Sequence, residues 1–362
     1  MINYKFPPKF VDRFRAYLDS EEYSDINAHS KSEYWKHHSK TVVINISGNQ
    51  ISVDGRAGCY IPPEKGISGL KNKFIRLVND PSALVSLIKR KMGAYGCEIR
   101  LLSYFEAFDK VMSSDKLSNP ELSPYRINFK KIKERPGAVV SMEDMNKIYF
   151  ARDKYKITAN IVHSYYLYNI LNGYLDLTKK RRILEIGAGN GNLLSILHNA
   201  SKNSNIIDVD LPETLAHAIL YISDLFPDAR ILMPHETKPH NIDDFDFVFL
   251  TPMQIHMIED IAVDLAINIS SFQEMTHKQI EEYFQLIQRC GKNNSYFLTS
   301  NRVEKIPSGP DVYEKEALEP PNRFSEYPWS PNNNILVYEI CRLCGLCQLG
   351  GIYIRLEQIK KE

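Results

Sequence analysis

The chain has 362 residues, which is long for one domain, comfortable for two and enough to bury a sizeable core. Its 45 basic and 44 acidic side chains give a formal net charge of +1, so bulk charge does not attract it to nucleic acid or anionic lipid. It contains no apolar run long enough for a membrane span and no signal-peptide pattern at its start, so we expect a cytoplasmic protein without a membrane span.

The first 150 residues are predicted to form a mainly helical module. A strand-like run covers 41–46, a stretch rich in glycine and proline at 55–69 predicts a long loop, and an Asp-Pro pair opens a helix predicted over 80–93. We expect this module, residues 1–150, to lead into a second domain, residues 151–362. The module is a candidate lid or oligomerisation region, and a homo-oligomer is compatible with the sequence.

The second domain opens on a strand pattern that ends in an acid, Glu185, and continues into a glycine-rich turn. The apolar residues before the turn suit a strand buried on both faces. Without a Cβ, the backbone can turn sharply and lie directly against a ligand. Three glycines spaced two apart provide this freedom: Gly187, Gly189 and Gly191.

The spacing of these glycines narrows the choice of ligand. A dinucleotide-binding turn reads Gly-x-Gly-x-x-Gly, and its third glycine would fall at position 192, which is Asn192 here. The carboxylate of Glu185 would repel a pyrophosphate but would attract the amino group and the sulfonium of S-adenosylmethionine. The motif therefore predicts S-adenosylmethionine as the cofactor.

A second apolar strand follows and ends in acids. Asp210 lies nineteen residues beyond Gly191, close to the offset at which this fold holds ribose hydroxyls with a carboxylate. Asp208 is the competing candidate, because strand alternation puts both acids on one face of the sheet. We favour Asp210, which is nearer the ligand edge.

Strands and helices continue to alternate along the rest of the chain, which predicts an α/β fold with a doubly wound, mostly parallel, Rossmann-like sheet. Ligands of such sheets bind at the carboxyl ends of the strands. Three residues are candidate cofactor contacts by this position alone: Thr251, Pro252 and Asn268.

The glycine turn resembles motif I of the class I S-adenosylmethionine-dependent methyltransferases. Three further segments are similar to the sugar O-methyltransferases that are found with bacterial surface-polysaccharide genes: Asn268-x-x-Ser-Phe-Gln-Glu-Met275, Asn301-Arg302, and Asn322-Arg323 with Tyr327-Pro-Trp329. This similarity covers roughly residues 140–340. It implies methyl transfer to a sugar hydroxyl in the biosynthesis of an O-antigen type polysaccharide, with a small-molecule or carrier-linked sugar as acceptor.

The general base is predicted among three residues. Glu274 is the first candidate, because it follows the fourth strand by a few residues, where related O-methyltransferases place their base. His277 and His256 are the second and third. The alternative for Glu274 is a charge that only favours the dipole of the next helix.

Arginine can hold phosphate oxygens, and an aromatic ring can pack on the apolar face of a sugar. The predicted acceptor contacts are Gln273, Asn301, Arg302, Arg323, Tyr327 and Trp329. Structural salt bridges are the alternative for the arginines, and buried packing is the alternative for Trp329.

Two other functions stay open. One is a nicotinamide-dependent sugar epimerase or dehydrogenase, and the other is a non-catalytic binding protein that keeps the fold. A cluster of three cysteines, Cys341, Cys344 and Cys347, could begin a metal site, but no fourth ligand is evident, so we predict no metal.

Overall fold

The computed structural model describes residues 2–24, 42–54, 159–201, 203–238, 242–305, 320–341 and 352–361. The loop predicted over 55–69 and the helix predicted over 80–93 lie outside these residues.

The N-terminal segments form a small sheet and two helices. The elements are β1 (Ile2–Lys5), α1 (Pro8–Leu18), α2 (Glu21–Ser24), β2 (Val43–Ser47) and β3 (Gln50–Asp54). The three strands are antiparallel, in the order β1-β3-β2. The described part of the first 150 residues thus contains strands as well as helices, and the helical character of the rest stays a prediction.

The second part of the chain alternates strands and helices as expected. Its elements are α3 (Ala159–Asn172), β4 (Arg182–Ile186), α4 (Asn192–Ala200), β5 (Asn205–Val209), α5 (Pro212–Leu225), β6 (Ile231–Leu232), β7 (Phe247–Leu250), β8 (Val263–Ile269), α6 (His277–Cys290), β9 (Gly291–Arg302), β10 (Glu304–Lys305), β11 (Asn322–Arg323), β12 (Asn334–Ile340) and β13 (Ile352–Gln358). β10 and β11 form a separate antiparallel pair.

Eight of these strands make one sheet in the order β12-β13-β9-β8-β4-β5-β7-β6. The six strands from β4 to β9 are parallel, whereas β13 is antiparallel to both of its neighbours. From β4 the chain runs outward through β5, and it later returns to place β8 on the other side of β4. The predicted fold class, a doubly wound and mostly parallel Rossmann-like sheet, is confirmed, and β4 is its switch point.

Each face of the sheet has its own core. Ile183 and Ile206 belong to the cluster with α3, α4 and α5, whereas Leu184 and Ile207 belong to the cluster with α6. Because side chains alternate along a strand, the odd-numbered residues of β4 share a face with the even-numbered residues of β5. That alternation turns Glu185 toward the face covered by α4 and α5.

The N-terminal helix α1 packs on the same face. Its buried Phe14 and Tyr17 share a core with residues of α5, and the Tyr17 hydroxyl donates to the carbonyl of Pro212 at 2.8 Å. Arg13 donates to both carboxylate oxygens of Glu236, at 2.6 and 2.7 Å, and to the carbonyl of Ile231 at 2.7 Å. The start of the chain is therefore anchored to the sheet domain.

Within the described part of the chain, no helix has the length and apolar character needed to cross a membrane.

Candidate functional site

The glycine turn connects β4 to α4 in a left-handed conformation. Gly187, Gly189 and Gly191 have φ angles of +74°, +64° and +81°, which side chains with a Cβ rarely adopt. A Cβ at Gly187 would lie 2.3 Å from the Ser271 hydroxyl, whereas a Cβ at Gly189 would meet no described atom within 4 Å. Gly187 therefore permits close packing inside the protein, and Gly189 leaves open space in which a ligand could approach the backbone.

Asp210 ties the turn to the end of β5. The N–H of Gly189 donates to its Oδ2 at 2.9 Å, and the N–H of Leu211 donates to its Oδ1 at 2.7 Å. Burial raises the pKa of Asp210 to about 7, although these two hydrogen bonds act in the opposite direction. Asp210, the acid predicted to hold the ribose, thus contacts Gly189, the glycine with open space beside it.

Two further acids are buried beside it. Glu185 and Asp208 are only 2% and 1% exposed and are aligned as partners across β4 and β5. Glu185 Oε2 and both oxygens of Asp208 lack a hydrogen-bond partner among the described residues. Burial, and then the charge of Asp210, raises the pKa of Glu185 to about 8 and raises that of Asp208. Buried carboxyls without partners are costly, so this arrangement favours a cationic or hydrogen-bonding ligand.

The segment after β8 is held by a hydrogen-bonded knot, which we define as Asn268, Ser271, Gln273 and Asn301. Asn268 Nδ2 donates to the carbonyl of Ile186 at 2.9 Å, and Ser271 Oγ donates to the same carbonyl at 3.0 Å. Asn301 Nδ2 donates to Asn268 Oδ1 at 2.8 Å. The knot therefore fastens the segment after β8 to the ends of β4 and β9.

Three side chains that were predicted to contact the cofactor or the acceptor form hydrogen bonds inside this knot. Asn301 Oδ1 accepts from the N–H of Gln273 at 3.2 Å, and Gln273 Oε1 accepts from the N–H of Arg302 at 2.8 Å. Asn268 and Asn301 are fully buried, and Gln273 is nearly so. These side chains therefore have partners within the protein, and the predictions that Asn268 contacts the cofactor and that Gln273 and Asn301 contact the acceptor stay predictions.

Glu274 follows the knot and forms a buried ion pair with Lys305. Lys305 Nζ lies 2.7 Å from Glu274 Oε1, and the two side chains are 7% and 13% exposed respectively. The charge of Glu274 also contributes to the raised pKa of Asp210, so the two carboxyls lie at the same edge of the sheet. Sequence reasoning missed Lys305, because a partner 31 residues away leaves no local signal.

The two candidate histidines lie elsewhere. His277 is the exposed first residue of α6, after the cap Thr276, whereas Glu274 belongs to a separate 3₁₀ turn, so the two residues do not lie on one face of a single helix. His256 is exposed, and the neighbouring carbonyl of Ile255 accepts from Arg289 in the last turn of α6. This end of α6 is at the opposite edge of the sheet from the glycine turn, so His256 lies away from the turn, and its role as base stays a prediction.

Thr251 and Pro252 lie where β7 ends, at the same edge as Asp210. The N–H of Asp210 donates to the carbonyl of Leu250 at 3.2 Å. The N–H of Thr251 donates to Gln254 Oε1 at 2.9 Å, which caps the turn that follows. Both residues therefore keep the position that the sequence predicted for them.

The predicted aromatic contacts pack against each other. Trp329 donates to the carbonyl of Phe324 at 3.0 Å, and its ring lies 4.1 Å from the Arg355 guanidinium carbon. Tyr327 is buried and packs edge-on against Phe272, with a centroid distance of 5.9 Å. Tyr327 is therefore buried in aromatic packing, and Trp329 packs beside it as a partly buried ring.

The two arginines differ in their surroundings. Arg323 is exposed and forms ion pairs with Glu304 and Glu326, at 3.2 and 3.1 Å, which matches the salt-bridge alternative. Arg302 is half-buried at the end of β9, next to the knot. Its backbone N–H donates to the side chain of Gln273, the residue before Glu274, so the end of β9 lies close to this segment.

Among the described residues, no group of three or more His, Cys, Asp or Glu side chains is arranged to hold a metal ion. Cys341 is buried. Cys344 and Cys347 lie outside the described residues.

Comparisons with known proteins find only structural similarities at low sequence identity. No protein-family model matches it, and no curated protein matches it. The fibrillarin pre-rRNA processing protein of Methanococcus jannaschii is 10% identical with a TM-score of 0.34, covering 52% of this chain and 70% of that one. The PH0226 protein of Pyrococcus horikoshii is 13% identical with a TM-score of 0.36, covering 66% and 99%. A geranyl diphosphate methyltransferase in complex with S-adenosylmethionine is 9% identical with a TM-score of 0.36, covering 55% and 84%. Similarities at these TM-scores do not indicate the function of this chain.

Proposed function

We propose that this protein is an S-adenosylmethionine-dependent O-methyltransferase that acts on a sugar hydroxyl. The observation that carries the proposal is the pairing of an open glycine turn with buried acids at the switch point of the sheet. Glu185 has a buried oxygen without a partner among the described residues, and Gly189 leaves the space above the turn open. A nucleoside with positive charge at its sulfur and amino group satisfies both features.

The cofactor would be held by residues of three strand ends. Glu185 would take the amino group, Asp210 the ribose hydroxyls, and the turn from Gly187 to Gly191 would lie along the nucleoside. Thr251 and Pro252 would line the side of the site next to β7. When bound, S-adenosylmethionine would supply a methyl group activated by the positive charge on sulfur.

The chain's own contribution to the reaction would be positioning and proton transfer. An acceptor hydroxyl has to approach the methyl carbon in line, so most of the acceleration would come from holding it there and excluding water. Glu274 would accept the hydroxyl proton, and Lys305 would fix the orientation of its carboxyl through their 2.7 Å contact. The hydrogen-bonded knot would keep this acid rigid relative to the glycine turn, because Ser271 packs directly on Gly187.

The sugar acceptor rests on the resemblance of the segments around Glu274 and Tyr327 to sugar O-methyltransferases. Arg302 would contact the acceptor or a phosphate that carries it. A nicotinamide cofactor is disfavoured, because its pyrophosphate would approach a turn that begins next to the buried acid Glu185.

The test is a transfer assay with S-adenosylmethionine and a panel of nucleotide-linked and free sugars, read by mass spectrometry. We expect one sugar class to gain a methyl group. Glu274→Gln should lower kcat by a factor of about 10²–10⁴ and change cofactor binding much less. Glu281→Gln, on the exposed face of α6, is the matched control. Full activity of Glu274→Gln would remove Glu274 as the base, and methylation of only non-sugar acceptors would overturn the sugar assignment.

A further inference from the structure

We propose that Asp208 is a third acid of the cofactor site, and that it favours a positively charged methyl donor over the demethylated product, whose sulfur is uncharged. This inference rests on the proposed function and deepens it. Sequence reasoning treated Asp208 only as a competitor of Asp210 for the ribose.

The placement of Asp208 is the first observation. It is the β5 partner of Glu185 in the parallel register of β4 and β5, and it shares a sheet face with Asp210 two residues further on. Its side chain is almost fully buried, and neither carboxylate oxygen has a partner with good hydrogen-bond geometry among the described residues, although the N–H of Ala188 is close enough to favour the charged form. A structural acid at such a place would ordinarily be neutralised by a hydrogen-bonded cation or by backbone N–H groups.

The groups that act on this cluster are the second observation. Asp208 interacts with Asp210 and Glu185, and the N–H of Ala188 favours its charged form. Glu213 of α5 and Glu274 act on Asp210. Two phenols face the same acids: Tyr17 of α1 interacts with Asp208 and Asp210, and Tyr283 of α6 interacts with Asp210. These groups add negative charge or are neutral, so none of them supplies the positive charge that would stabilise the ionised acids.

The chemistry of methyl transfer makes this charge useful. The donor carries a positive sulfur, and the product does not, because the methyl group leaves with that charge. A carboxylate buried beside Glu185 and Asp210 would attract the positively charged donor by a Coulomb energy that it would not give to the uncharged sulfur of the product. Asp208 would thereby strengthen donor binding and help the product to leave.

Proton release is the signature that separates this role from a structural one. Burial and mutual repulsion keep protons on the three acids near neutral pH, and a cationic ligand stabilises their ionised forms. Binding of the donor should therefore release protons, and its affinity should rise with pH through about 7 to 8, the pKa values of Asp210 and Glu185. The product should show a weaker dependence on pH.

The experiment is calorimetric titration of the full chain with S-adenosylmethionine and with S-adenosylhomocysteine at several pH values. Two buffers of different ionisation enthalpy at each pH give the number of protons released. Asp208→Asn should lower the ratio of donor to product affinity by about tenfold and reduce the protons released. Asp243→Asn, which removes an exposed acid beside Arg182 at the other edge of the sheet, should change neither quantity.

The outcomes are distinguishable. Donor binding without proton release in the unmodified chain would overturn the inference and leave the proposed function standing, and this measurement does not depend on the folding of any variant. An unchanged affinity ratio in a folded Asp208→Asn variant would also overturn it. If the donor does not bind at all, the proposed function fails as well.

Discussion

At the residue scale, the contact between Gly187 and Ser271 decides how closely the segment after β8 can approach the glycine turn. A Cβ at position 187 would lie 2.4 Å from the Ser271 Cβ as well as 2.3 Å from its hydroxyl. Heavy atoms cannot remain at such distances, so one of the two segments would have to move.

Gly187→Ala should therefore destabilise the protein by about 2–4 kcal/mol, because overpacking adds to the strain of a positive φ. Gly48→Ala is the matched control, since Gly48 also has a positive φ, +54°, with no described atom within 4 Å of a Cβ. Urea unfolding of both variants measures the difference. Equal losses of unfolding free energy would show that the Ser271 contact does not matter.

The acid Glu185 gives a second prediction at this scale. Its folded pKa of about 8 lies above the ordinary value of 4.5, so the folded state holds a proton that the unfolded state loses between these values. The contribution of Glu185 to the free energy of unfolding should be largest below pH 4.5. It should fall by up to about 1.4 kcal/mol per pH unit as the pH rises from 4.5 to 8.

Glu185→Gln should reduce this slope, because a glutamine cannot titrate. Unfolding free energies of the ligand-free chain at pH 5, 6, 7 and 8 measure it, with Glu281→Gln as the exposed control on α6. The same slope in Glu185→Gln and the unmodified chain would contradict the assigned burial of this acid.

At the scale of elements, α1 is held against the sheet domain by Arg13. This side chain makes three hydrogen bonds to Glu236 and Ile231, and Tyr17, one turn further on, reaches the carbonyl of Pro212 at the start of α5. The helix thereby supports the segment that follows Asp210.

Arg13→Gln should lower the unfolding free energy by about 1–3 kcal/mol, because it removes the two hydrogen bonds that Arg13 donates to the partly buried Glu236 carboxylate. Arg15→Gln, in the same helix, removes an exposed arginine whose contact to Asp12 is 3.5 Å long, and it should cost less than about 0.5 kcal/mol. Thermal unfolding followed by circular dichroism compares the two. A similar effect of both substitutions would mean that α1 is not anchored through Arg13.

Elements whose signals are local were predictable from the sequence. The start of α6 is an example, because the Thr276 side chain accepts from the N–H of Gln279 and the Gln279 side chain accepts from the N–H of Thr276, all within four residues. The strand β4, the glycine turn and Asp210 could also be predicted from the sequence, since their spacing along the chain is fixed by the geometry of a parallel sheet. The packing of α1 on α5 could not be predicted from the sequence, because it joins residues that are far apart along the chain.

The same distinction explains the residues around Glu274. Polar side chains at strand ends predicted a site, but Asn268, Gln273 and Asn301 bind one another in the folded chain. A sequence shows that a polar residue is near the ligand edge, and it does not show whether a partner from another strand has already satisfied it. Lys305 is the converse case, because its partnership with Glu274 exists only in three dimensions.

At the scale of the whole molecule, the doubly wound sheet brings three strand ends together at β4. Glu185, Asp210 and Glu274 reach this edge from β4, β5 and the segment after β8, although 89 residues separate the first from the last. The sheet therefore places the proposed cofactor acids and the proposed base side by side, which is the arrangement that methyl transfer requires.

The most direct test is calorimetric titration of the purified chain with S-adenosylmethionine and, separately, with NAD. We predict that S-adenosylmethionine binds at one site per chain, that Asp210→Asn weakens this binding at least tenfold, and that NAD does not bind. Binding of NAD with no binding of S-adenosylmethionine, or binding of neither, would contradict the account.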